Sequence, residues 1–223
     1  MRTTALSLLA IVVLAGLTKL SQRHETKNQA MIKGEDAPIA GINARDSCCV
    51  SESPKAGVKD SSVYQLESRW INQNGKEMCL SQLQGKTCVF AMFYSHCTYA
   101  CPITINDMKK IETALPFDLN ERIGFVLVSF DPVHDSPETL KKLAESQELD
   151  RRRWTLLTGR DYDDRTLAAM LGVEFKKKGN GDFMHSSQIT VLNPAGEIVY
   201  KHVGLNRPIS DVVEAIENCS AQQ

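Results

Sequence analysis

The chain has 223 residues, and its 26 Lys and Arg against 27 Asp and Glu leave a formal net charge of -1. That length holds one domain with a sizeable core plus tails, and the balanced charge gives no global basic field of the kind that attracts nucleic acid. The seven cysteines are odd in number, so they cannot all pair within one chain.

Met1 and Arg2 precede an apolar run from Ala5 to Leu17, and Lys19 follows it. This is the layout of a secretory signal, with Val13-Leu14-Ala15 offering small residues for cleavage. The run is short of the ~20 apolar residues of a membrane span, and a retained anchor is the alternative. No cysteine follows Leu14-Ala15-Gly16, which argues against a lipid-attached N-terminus. Residues 1–20 are therefore expected to be a signal peptide or membrane anchor. The rest would be exported to the periplasm or the outer face of the cytoplasmic membrane, where thiols meet oxidising surroundings.

Residues 21–62 are rich in Lys, Glu, Asp, Asn, Ser and Gly without helical or strand period, as in a polar linker. It contains Cys48-Cys49. Adjacent cysteines seldom bond each other, because the ring strains the intervening peptide. Disulfides to Cys79, Cys88 or Cys219, a second metal ion, and relay of copper or electrons all stay open for them.

Order is expected over residues 63–219. Alternation from Val63 to Trp70 predicts a strand, and Asn74-Gly75 a hairpin turn before a short strand from Lys76 to Leu80. Thr87 to Phe93 is almost continuously apolar, as in a central strand buried on both faces, with Cys88 as a small core residue. Met108, Ile111 and Leu115 recur at helical spacing before Pro116. A strand from Ile123 to Phe130 follows, then a helix capped by Ser136 and opened by Pro137. Trp154 to Leu157 predicts a strand, Tyr162 to Leu171 a helix, and Val173 to Lys178 a short strand leading to the Gly179-Asn180-Gly181 loop. Ser187 to Leu192 should pair with Glu197 to Val203 across Asn193-Pro-Ala-Gly196, and Pro208 to Cys219 should close the domain as a helix. Alternating strands and helices, then an antiparallel hairpin and a helix, predict an α/β, thioredoxin-like fold with an added N-terminal β-hairpin.

The chemistry concentrates in Phe93-Tyr-Ser-His-Cys-Thr-Tyr-Ala-Cys-Pro102. Pro102 suits a first helical position, which would put Cys101 at the N-cap and Cys97 in the preceding turn. The helix dipole would then favour thiolate at both sulfurs. A thiolate is a nucleophile and a soft metal ligand, so disulfide exchange and metal binding are both open. Thioredoxin-type motifs are CxxC, whereas here Thr98, Tyr99 and Ala100 separate the cysteines. Two thiolates hold Cu(I) better with a third donor. Among the five histidines, His185 stands out at the end of the glycine loop, where thioredoxin-like enzymes carry a cis-proline. His96 is expected to turn away, His24, His134 and His202 to be surface or core residues, and Met184 to be packed.

These residues resemble the Sco/SenC family of thioredoxin-fold copper proteins. The resemblance spans roughly Val63 to Ile216. It rests on Tyr94-Ser-His-Cys-Thr-Tyr-Ala-Cys-Pro102, on Ser129-Phe-Asp-Pro-Val-His-Asp-Ser-Pro-Glu138, and on His185-Ser with its strand and Asn-Pro-x-Gly turn. It implies one copper ion, Cu(I) or Cu(II), held by Cys97, Cys101 and His185. It also implies a metallochaperone for an acceptor such as the CuA subunit of cytochrome c oxidase. Thr98 stands where the family often has proline, and Met184 where it often has an acid. Cys48-Cys49 has no counterpart in the family core and fits a branch with another target, such as the copper centres of nitrous oxide reductase. One rival is a thiol-disulfide reductase using Cys97 and Cys101 as its redox pair to keep target cysteines reduced. A peroxiredoxin-like peroxidase is disfavoured because Tyr94 occupies the position of that family's threonine, and zinc would want a fourth ligand. The Lys176 to Lys178 and Arg151 to Arg153 runs are expected to be solvated surface rather than steering patches.

Overall fold

The computed structural model describes residues 61–221 apart from 120, 161, 180 and 181. The expected signal or anchor, the linker up to residue 60 and Cys48-Cys49 lie outside the described residues. Among the described residues no helix is long and apolar enough to cross a membrane.

Among the described residues nine strands fall into two sheets. They are β1 (Trp70–Asn72), β2 (Glu77–Met78), β3 (Thr87–Phe93), β4 (Ile123–Ser129), β5 (Trp154–Thr158), β6 (Phe175–Lys177), β7 (Phe183–His185), β8 (Gln188–Leu192) and β9 (Ile198–Val203). The helices are α1 (Ala100–Ala114), α2 (Pro137–Ser146), α3 (Asp163–Leu171) and α4 (Ser210–Ala221). Seven strands form one sheet in the order β2-β1-β5-β4-β3-β8-β9, and β6 and β7 form a separate pair. β3, β4 and β5 run parallel, while β8 and β9 join antiparallel on one side and β1 and β2 on the other. This is the thioredoxin-like arrangement the sequence predicts.

The central strands behave as their composition demands. All seven residues of β3 are buried, and so are all five of β8, because helices and neighbouring strands leave neither face to water. Phe125 stacks on Trp154, ring centroids 4.8 Å apart, which ties β4 to β5. α2 begins as read: the Ser136 hydroxyl accepts from the Thr139 N–H, and Pro137 occupies the first turn.

Some local readings need correction. Val63 to Trp70 is not one strand; Val63–Gln65 is a short 3-10 helix capped by Ser62, and only Trp70 onward is extended. Val63 and Tyr64 dock on the β8-β9 turn, where the Val63 N–H donates to the Gly196 carbonyl at 3.0 Å. Gly196 has φ +82, and a Cβ there would lie 2.5 Å from the Tyr64 ring, so this turn requires glycine. Asn74-Gly75 does turn β1 into β2, with Gly75 at φ +76, but β2 is shorter than expected.

The cysteines divide by environment. Cys88 is fully buried in β3 beside the Tyr64 hydroxyl, and burial pushes its thiol up to about 11, as befits an inert core residue. Cys219 is free, with burial raising its pKa, and Cys79, only 1% exposed, is disulfide-bonded.

Candidate metal centre

β3 delivers the chain to the surface at Phe93, and the loop that follows is pinned from below. Asp135, fully buried, accepts the Ser95 N–H at 3.1 Å and the Ser129 hydroxyl at 2.5 Å, so the end of β4 holds the loop in place. The Cys97 N–H donates back to the Tyr94 carbonyl at 3.2 Å and closes a turn. α1 then starts at Ala100 rather than at Pro102, with Tyr99 at the N-cap. Pro102 is tolerated because every N–H in the first turn lacks an intrahelical partner. Cys101 is thus inside the helix, not at its cap.

That shift changes the electrostatics. Burial pushes the Cys97 thiol up, but the backbone N–H groups of Cys101 and Tyr99, with the Cys101 and His185 side chains, outweigh it and bring the pKa down to about 7. The Cys101 N–H donates directly to Cys97 Sγ at 3.3 Å. Cys101 goes the other way: it is 3% exposed, and burial together with the neighbouring Cys97 drives its pKa well above the usual thiol range. The expectation that both sulfurs would favour the thiolate therefore holds only for Cys97. A helix terminus stabilises a thiolate that stays partly solvated, and it does not offset full desolvation.

His185 arrives on β7, one strand of the small hairpin, paired with Phe175. The short strand expected over Val173 to Lys178 is present as β6, Phe175–Lys177, and pairs antiparallel with β7. Aromatic packing holds the hairpin: Phe183 contacts Tyr94 and Phe130, and Phe175 stacks on Phe130 at 4.9 Å. The Tyr94 hydroxyl also donates to Asp182, whose carboxyl this bond holds below its usual range. His185 Nδ1 lies 3.2 Å from the Ser186 carbonyl, which can only accept, so Nδ1 carries the proton and Nε2 presents its lone pair. That Nε2 is 4.0 Å from Cys101 Sγ.

One donor atom from each of Cys97, Cys101 and His185 lies within 4.8 Å of the other two. Metal–sulfur and metal–nitrogen bonds of about 2.0–2.3 Å would set three trigonal donors roughly 3.8 Å apart, so the trio fits one ion after small side-chain adjustment. Two thiols and an imidazole are soft-to-borderline donors that suit copper or zinc and not a hard cation. Among the described residues this is the one such cluster of three.

The other candidates lie elsewhere. The His96 ring meets His134 instead of the thiols, and His202 is buried with its Nε2 unpartnered. Met184, expected to be packed, is 60% exposed, because β7 turns Phe183 inward and Met184 outward. Arg151, Arg152 and Arg153 pair with Glu145, Asp150 and Glu112. Lys177 lies over the Phe183 ring and Lys178 near Asp182. Sequence reasoning missed Asp135 as the loop clamp and the Tyr94–Asp182 bond as the tie between loop and hairpin. The first had a signal in the Ser129-Phe-Asp-Pro-Val-His-Asp135 motif. The second, spanning 88 positions, had none.

A family model described as SCO1/SenC matches residues 59–221. The chain belongs to the SCO1/SenC family. It is 26% identical over 168 residues to the SCO1 protein homolog of Bacillus subtilis (strain 168), covering 73% of this chain and 86% of that one. Among solved structures it is similar to a SCO1/SenC family lipoprotein from Bacillus anthracis str. Ames, 26% identical with a TM-score of 0.64, over 71% of this chain and 96% of that one. It also shares the fold of Arabidopsis thaliana ScoI, determined with copper bound, at a TM-score of 0.59 and 18% identity, over 70% of this chain and 97% of the other. The SCO1/SenC match begins just before the described residues and ends with α4, so it spans all of them.

Proposed function

We propose that this SCO1/SenC protein is a copper metallochaperone that takes one copper ion on Cys97, Cys101 and His185 and passes it to a copper-protein acceptor such as the CuA subunit of cytochrome c oxidase. The observation that carries the reading is the convergence of two free thiols and one imidazole lone pair within 4.8 Å. The copper-bound Arabidopsis family structure supports copper as the cargo.

Each residue has its own task. Cys97, with its pKa brought down to about 7, offers a thiolate at neutral pH and makes the first bond. Cys101 is protonated before loading, so uptake displaces its proton, and the buried sulfur then closes the site from beneath. His185 completes a three-donor set from a separate structural element. When β6-β7 swings outward the imidazole leaves with it, and the two-sulfur site that remains yields its ion to an acceptor with more donors. The apolar run Ala5 to Leu17 takes the domain across the cytoplasmic membrane or tethers it there, so loading and delivery occur on the outer face.

The test is a Cu(I) competition titration against a chromophoric chelator, run on the reduced protein and on Cys97→Ser, Cys101→Ser and His185→Ala. Either serine variant should lose more than about a hundredfold in affinity, beyond the 10–100-fold typical of removing an outer-shell partner. His185→Ala should lose less and release copper faster. Equal affinity in His185→Ala and the parent would overturn the ligand assignment. The Cu(II) form should show a thiolate-to-copper charge-transfer band that Cys97→Ser abolishes.

A further inference from the structure

A second pair of potential ligands lies on the loops that follow β3 and β4. His96, one residue before Cys97, and His134, in the turn before α2, bring their rings to a centroid separation of 5.7 Å at 75°. Both rings are accessible, His134 with half its side chain exposed. Two imidazoles bound through about 2.0 Å bonds to one ion place their ring centroids roughly 5 Å apart, close to the separation of these two rings.

The protonation pattern points the same way. His134 Nδ1 lies 2.7 Å from Asp131 Oδ2, and Asp131 is only 3% exposed. The carboxylate accepts the Nδ1 proton, which leaves the Nε2 lone pair outward. Asp131 is itself fixed, because its N–H donates to the Ser129 hydroxyl at 2.9 Å and its carbonyl accepts from the His134 and Asp135 N–H groups. A buried carboxylate that orients an accessible imidazole is the usual outer-shell support of a metal ligand. His96 Nδ1 lies 3.1 Å from the Ser95 hydroxyl, which can accept its proton and so leave Nε2 free to bind an ion. Ser95 and Ser129 are both hydrogen-bonded to Asp135, so the supports of both rings share one anchor.

We propose that His96 and His134 form a second, open metal site for a Cu(II)-class divalent ion, with Asp131 as the positioning residue for His134. Imidazole nitrogens suit Cu(II), and with two protein ligands the remaining coordination positions belong to water or to a donor on an incoming molecule. The site is separate from the one proposed on Cys97, Cys101 and His185. It differs in donor type and in exposure, and it would accept an oxidised ion at the lip of a centre suited to the reduced one.

The experiment uses the full chain carrying Cys97→Ser and Cys101→Ser, which removes the two sulfur donors of the site proposed above, titrated with Cu(II) alone and followed by equilibrium dialysis and electron paramagnetic resonance. Adding His134→Ala or His96→Ala should lower the bound Cu(II) by one equivalent and remove the hyperfine pattern of two imidazole nitrogens. Asp131→Asn should keep the equivalent but weaken it about tenfold or more. An unchanged equivalent count and spectrum in both histidine variants would overturn the site, and unchanged affinity in Asp131→Asn would overturn the positioning role. With both thiols intact, the His96→Ala/His134→Ala protein should take up Cu(I) as the parent does. A failure of the sulfur-centred reading would therefore appear in the Cu(I) titration and leave the Cu(II) result standing.

Discussion

The seven-stranded sheet and the β6-β7 hairpin contribute to the same centre in opposite ways. The sheet side supplies Cys97 and Cys101 from the end of β3, a strand buried along its whole length, through a loop clamped by a buried carboxylate. The hairpin supplies His185 from two three-residue strands, of which only Phe183 is buried. Two-stranded ribbons are marginal on their own and depend on what they pack against. Here that is one aromatic cluster and one tyrosine–aspartate bond. On the copper reading proposed above, the contrast would separate holding from releasing: two donors follow a fully buried strand, and one rides on a ribbon with a single buried side chain.

Substitutions in the two regions should separate those properties. Phe93→Ala, in the sheet, should lower unfolding free energy by about 3–5 kcal/mol, read from urea denaturation, because the cavity lies in the fully packed layer. Phe183→Ala should cost global stability much less. Its effect should appear as faster amide exchange in residues 183–185 and as copper release accelerated about tenfold, in line with loss of a supporting contact around a ligand. If both variants lowered the denaturation midpoint equally, the hairpin would not be an independent unit. Tyr94→Phe keeps the ring packing and deletes the hydroxyl that reaches Asp182, so it should change copper release only a few-fold, with loss of about 1 kcal/mol at most. The mildest probe changes only pH. Alkylation of Cys97 should rise as pH increases through about 7 and then level off, because its thiolate is already favoured there, while Cys101 should stay unreactive across that range. Peptide mapping after timed iodoacetamide treatment would distinguish the two. Equal labelling of both sulfurs at pH 7 would contradict the difference in their environments.

The same division governs how much could be read without coordinates. β3 and the capped start of α2 were legible to the residue, because a continuous apolar run and a Ser-Pro cap are local signals with one physical outcome each. The three converging residues were legible as types and positions, but their electrostatics were not. Whether a cysteine beside a helix start is a thiolate depends on burial, and burial of Cys101 is set by packing across the fold. The start of α1 was misplaced because proline fits anywhere in a first turn, not only at its first position. The strand at Phe175–Lys177 is legible within the expected Val173 to Lys178, but its pairing with Phe183–His185 is not, because two three-residue strands carry too short a pattern to signal a partner. Met184 was read as packed because methionine usually is, and a two-stranded ribbon has one face with nothing to pack on.

Cys79 imposes a further condition on the whole molecule. It is oxidised and shielded from solvent, while Cys97 is reduced and within reach of it. A reductant strong enough to open a shielded disulfide would act on both, whereas an oxidising compartment with no reductant would oxidise the accessible thiol. In the exported setting proposed above, a matching electron donor would discriminate by access, and brief, gentle reduction in the laboratory would free Cys97 and spare Cys79.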